Sequence, residues 1–72
     1  MQQKMKNNNV FTKGTYVESI TRPMDIYGYV VDYAYVNGFQ CVALADDPAM
    51  NDGEWVFSSG LRKAYERKRV LQ

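Results

Sequence analysis

The run Tyr29-Val-Val-Asp-Tyr-Ala-Tyr-Val36, then Asn37-Gly38, then Phe39-Gln-Cys-Val-Ala-Leu44 constrains this chain more than any other feature. Two blocks of β-branched and aromatic residues flank a dipeptide whose members both tolerate φ > 0, as a two-residue type I′ hairpin turn requires. A turn of fixed length fixes register. Val36 is expected opposite Phe39, Tyr35 opposite Gln40, Ala34 opposite Cys41, Tyr33 opposite Val42, Asp32 opposite Ala43 and Val31 opposite Leu44. One face then carries Tyr29, Val31, Tyr33, Tyr35, Val42 and Leu44. The other carries Val30, Asp32, Ala34, Val36, Phe39, Cys41, Ala43 and Ala45. The first is the expected core face, because Asp32 lies mid-strand on the second and a carboxylate is rarely buried without a partner.

The remaining segments organise around this hairpin. Residues 1–12 read as a flexible N-terminal arm, with an Asn7-Asn8-Asn9 run and only Val10-Phe11 to anchor it. Thr15–Ile20 reads as a first strand, and Arg22-Pro23 as part of a loop, since proline removes a donor and biases its predecessor away from helix. Gly28 is expected to relieve a bend where the second strand begins. Residues 46–53 form a long acidic loop, Glu54–Ser58 a fourth strand, and Ser58-Ser59-Gly60-Leu61 a single helical turn that serine hydroxyls are available to cap. The last segment supports two readings. Leu61, Ala64, Tyr65 and Lys68 share one helical stripe, whereas Arg62–Glu66 makes a short strand, with Tyr65 packing inward, that closes the molecule beside the first. The strand is favoured, because four strands alone leave two open edges. Residues 13–66 are thus the expected body, and 67–72 a basic tail.

Seventy-two residues make one domain near the lower limit for a self-sufficient core. Self-association is therefore expected to help. The flat strip Ala34, Cys41 and Ala43, bordered by Val36 and Phe39, is the surface on which a second copy would pack. The single Cys41 has no internal partner, no apolar run is long enough to span a bilayer, and the N-terminus lacks a signal-peptide core; a cytoplasmic location is the expectation.

The net charge of +1 conceals a sorting: +3 over residues 1–13, −6 over 14–61, and +4 over 62–72. An acidic body repels nucleic acid, so phosphate contact would fall to Arg62, Lys63, Arg67, Lys68 and Arg69. No histidine is present, which removes the commonest general base near neutral pH, and Cys41 lacks a basic neighbour that would activate it. No enzymatic role, metal or cofactor is expected. Asp46, Asp47, Asp52 and Glu54 lack the spacing of a calcium loop and read instead as a recognition surface for a protein partner. Six tyrosines exceed what so small a core can hide, so Tyr27, Tyr29 and Tyr35, with Trp55, are candidates for an aromatic contact surface.

Lys13-Gly14-Thr15-Tyr16-Val17, Gly28-Tyr29-Val30-Val31, the hairpin, and Trp55-Val56-Phe57 running into Ser-Ser-Gly-Leu61 together resemble the layout of SH3-like small barrels. The resemblance covers about residues 13–66 and is one of pattern. It implies a barrel of about five antiparallel strands, with an inward Leu61 after a late 3₁₀ turn. Such barrels include KOW and Tudor-like modules, peptide-binding SH3 domains and the plasmid-borne type II dihydrofolate reductases, which assemble as tetramers. The diagnostic Val-Gln-Ile-Tyr strand of the reductases is replaced here by Glu54-Trp-Val-Phe57, so no reductase residue carries over. The expected function is a small non-catalytic protein-interaction module, an accessory or inhibitory factor of phage or bacterial style. The alternatives are a nucleic-acid-associated barrel and a small-molecule-binding oligomer of the reductase kind.

Overall fold

The computed structural model describes residues 10–66. The outer part of the expected arm and the whole of the expected tail, with Arg67, Lys68 and Arg69, lie outside the described residues. Five strands form one antiparallel sheet: β1 (Tyr16–Ser19), β2 (Tyr27–Val36), β3 (Phe39–Ala45), β4 (Glu54–Phe57) and β5 (Leu61–Lys63). Their order across the sheet is β4-β3-β2-β1-β5. The mainly β expectation holds, and Leu61–Lys63 is a strand rather than a helix, starting one residue earlier than the expected Arg62–Glu66 strand and shorter than it. β5 pairs with β1, as expected of a closing strand. No β4–β5 ladder joins the two ends of the sheet among the described residues. No helix there is long and apolar enough to cross a membrane.

The hairpin turn forms as its sequence dictates. Asn37 has φ 53° and Gly38 φ 84°, and the pairs from Val36–Phe39 to Asp32–Ala43 stand in the expected register. Beyond them the register slips. A β-bulge falls between Val30 and Asp32, so that Val30, not Val31, faces Leu44, and Tyr29 faces Ala45. An extra residue on one strand exchanges the faces of everything before it. The core face is therefore corrected: Val30 replaces Val31 on it, and Tyr29 moves to the opposite face.

The core consists of Val17, Val30, Val42, Leu44 and Leu61, against which Phe11, Ile26 and Val56 pack. Full burial of such a side chain stabilises by roughly 1.5–3 kcal/mol before the cost of ordering it. Leu61 is inward, directly after the 3₁₀ turn Ser58–Gly60. The Leu61 N–H donates to the Ser58 carbonyl, which closes that turn. Tyr65 is 95% exposed, which corrects the expectation that it packs inward.

Tyr33 and Tyr35 occupy the inner face but are exposed. The cause is strand length. Along β2, β1 pairs only with Tyr27–Tyr29, and the backbone of Gly14 and Thr15 carries that contact no further than Val30. Among the described residues, the distal half of the ten-residue β2 therefore has no strand to roof it. What does reach it is the N-terminal segment: the Phe11 N–H donates to Gln40 Oε1 and Gln40 Nε2 donates to the Phe11 carbonyl, both at 2.9 Å.

Candidate functional site

The face of the sheet turned away from the core carries an exposed apolar row. Period-two alternation and the β3–β4 register decide its membership. Cys41 pairs with Phe57 and Ala43 with Trp55, while Ala34 pairs with Cys41 and Val36 with Phe39. Val36, Phe39, Trp55 and Phe57 consequently share one face, and each is about half exposed, at 47, 58, 47 and 55%. Isolated exposed apolar residues are ordinary, but a contiguous row is not.

The expected self-association strip lies on this face but is not uniformly open. Ala34 is exposed, Cys41 half-buried, and Ala43 fully buried between Asp32 on β2 and Trp55 on β4. Ala43 belongs to a second small cluster with Val31 and Ala45, against which Tyr29 packs. The face thus has a packed floor around Ala43, and the exposed row runs from the hairpin turn along β4 to Trp55 beside that floor.

The four expected aromatic contacts separate. Tyr27, Tyr29 and Trp55 fall on this outer face, and Tyr35 on the opposite one beside Tyr33, its ring 6.1 Å away. Tyr29 is a bracing residue. Its ring meets Tyr16 edge-on at 5.0 Å, and its hydroxyl is pushed up to about 12 by its hydrogen bond to Glu66, then by burial and by the charge of that carboxylate.

Asp46, Asp47, Asp52 and Glu54 are all exposed, at the end of the sheet remote from the hairpin turn. Asp47 Oδ1 accepts from the Ala49 N–H and Asp52 Oδ1 from the Gly53 N–H, both at 2.9 Å, so these carboxylates also shape the loop. Among the described residues no three acidic or thiol side chains converge as a metal site requires. Of the basic residues described, Arg62 is held by Glu18 across the β1–β5 pair at 2.8 Å, and Lys63 is exposed beside it.

Phe57 is the contact-face residue that sequence reasoning missed. Its signal was the alternation in Glu54-Trp-Val-Phe57, which puts Phe57 on whichever face Trp55 takes. The eight-residue connection between β3 and β4 does not transmit register as Asn37-Gly38 does, so the face itself was not readable. No protein-family model, curated protein or solved structure matches this chain.

Proposed function

We propose that this protein is a non-catalytic protein-binding module, acting through the outer face of β2, β3 and β4. The observation that carries the reading is the half-exposed row Val36, Phe39, Trp55 and Phe57 on a single face. Aromatic side chains on a rigid sheet offer large contact area at low entropic cost, the usual makeup of an energetic centre in a protein interface. The exposed acidic loop adjoins Trp55 and supplies a charged border. The partner this combination fits is a protein with an apolar patch beside basic side chains, since the described residues carry eight acids against Lys13, Arg22, Arg62 and Lys63. An accessory or inhibitory role, for a factor encoded by a bacterial or phage genome and acting in the bacterial cytoplasm, suits a module of this size.

Phosphate contact through the basic end receives less support, because the Arg62 guanidinium is engaged by Glu18. The test is quantitative capture from the native cytoplasm on the immobilised full chain, wild type beside Phe39→Asp. A specific protein retained by the wild type and lost from the variant supports the reading. Identical captured sets, or retention of nucleic acid alone with steep salt dependence, would exclude it.

A further inference from the structure

β4 is an edge of the sheet, hydrogen-bonded to β3 on one side only among the described residues. Natural edges are guarded by charge, bulges or proline against pairing with other chains. The other edge, β5, carries Arg62 and Lys63 in three residues. β4 carries one charge, Glu54 at its start, followed by Trp55-Val56-Phe57, three β-formers of which two are half exposed. We infer that this edge pairs with β4 of a second copy, antiparallel, about a two-fold axis at Val56.

Charge selects the register. A dyad at Val56 sets Trp55 opposite the second copy's Phe57 and Phe57 opposite its Trp55, giving two cross-strand aromatic pairs on the outer face. The two Glu54 side chains then stand four residues apart along the seam, about 13 Å, which exceeds the screening length of about 8 Å at physiological salt. A dyad at Trp55 brings those carboxylates to about 7 Å and sets each against the other copy's Val56. A dyad between Trp55 and Val56 pairs residues of opposite faces and is geometrically excluded. The inner face agrees with the first choice, because Val56, packed against the core, meets its own image. The seam is isologous, so it closes at two chains and joins the two outer faces into one surface. It does not depend on the protein-partner reading: Phe39 on β3 and Val36 on β2 lie outside the seam.

Sedimentation equilibrium of the full chain tests the inference. A short seam gives a weak dimer, so the expected result is a two-chain mass at about 500 µM that falls toward one chain on dilution to about 1 µM. The Trp55→Lys/Phe57→Lys double variant should weaken association at least tenfold while keeping its β circular dichroism, and Phe39→Asp should leave it unchanged. If the double variant loses its fold, amide exchange of the wild type decides. Exchange within Trp55–Phe57 should slow with rising concentration, while that of Leu61–Lys63 does not. A single-chain mass at every concentration overturns the inference. So does a mass that keeps growing with concentration, the mark of open β4-to-β5 pairing, or dissociation by Phe39→Asp in place of the double variant.

Discussion

Gln40 grips the backbone of Phe11 with both ends of its side-chain amide, donating to the carbonyl and accepting from the N–H. This is the bonding pattern of one more strand residue, supplied by a side chain. It explains how a polar residue is 5% exposed on the core side of β3, and it stitches the N-terminal segment over a part of the hairpin that β1 does not reach.

Gln40→Leu keeps the volume and removes both hydrogen bonds. Phe11 is itself only half-buried, so its freed backbone groups recover some water. A loss of about 1–3 kcal/mol is expected by urea denaturation. Gln40→Glu should lose nearly as much, because a carboxylate accepts from the Phe11 N–H but offers nothing to its carbonyl.

Two glycines with positive φ should respond differently to alanine. Gly28 has φ 149° and is packed so closely that an added Cβ would sit 2.8 Å from the Ala45 carbonyl oxygen. Gly38 has φ 84° and open space around it. Gly38→Ala should cost only the backbone strain, about 1–2 kcal/mol, and Gly38→Val more, for its branched side chain. Gly28→Ala adds a clash with backbone that cannot swing aside, and about 2–4 kcal/mol is expected. Equal midpoints for the two alanine variants would contradict the close approach of β2 to Ala45.

The Tyr29 hydroxyl titrates near 12 rather than 10.0, chiefly because of its hydrogen bond to Glu66. The folded state thus holds this proton more tightly than the unfolded chain does. Its stabilising contribution is complete below about pH 10 and disappears as the pH rises toward about 12. Glu66→Gln removes the adjacent charge, so the Tyr29 ring-carbon shift should titrate at lower pH. An unchanged midpoint in that variant would separate Tyr29 from Glu66.

Leu61 and Tyr65 are four residues apart and differ completely in burial, at 2 and 95% exposed. Leu61→Ala should cost about 3–4 kcal/mol, a large part of the stability of so small a domain. Tyr65→Ala should stay within about 0.5 kcal/mol. Thermal melts of the two variants are sufficient to check this.

Reversing Asp46, Asp47 and Asp52 to Lys should lower the melt only modestly, because all three carboxylates are exposed and the loss is that of the two loop hydrogen bonds made by Asp47 and Asp52. Association with the captured protein should slow by tenfold or more, and its dependence on salt should flatten. A change confined to dissociation would move recognition away from this loop.

The hairpin was legible because Asn37-Gly38 sets strand pairing through local chemistry, and the pairs nearest the turn follow from it. Val31 offered no such sign. Nothing in Tyr29-Val-Val-Asp32 distinguishes a bulge from regular strand, since the slip is set by how β2 must bend to meet both β1 and β3. The exposure of Tyr33 and Tyr35 was hidden for a related reason. Alternation reports which side of a strand a residue takes, but not whether another strand is long enough to cover it. The outer row was half legible: Val36 and Phe39 follow from the turn, whereas Trp55 and Phe57 join them only through a pairing that the long acidic loop does not encode.

The slip at Val31 also divides β2 into two phases. From Asp32 onward even-numbered positions look outward, whereas Tyr27 and Tyr29 do so before it. A saturation scan of this strand should therefore show two alternating tolerance patterns out of step, meeting at Val31. Deleting that single codon would bring them into step without changing what any other residue is paired with, by turning a bent ribbon into a straight one. The cost of the deletion would then measure the worth of the bend itself, free of any exchanged side chain except Val31.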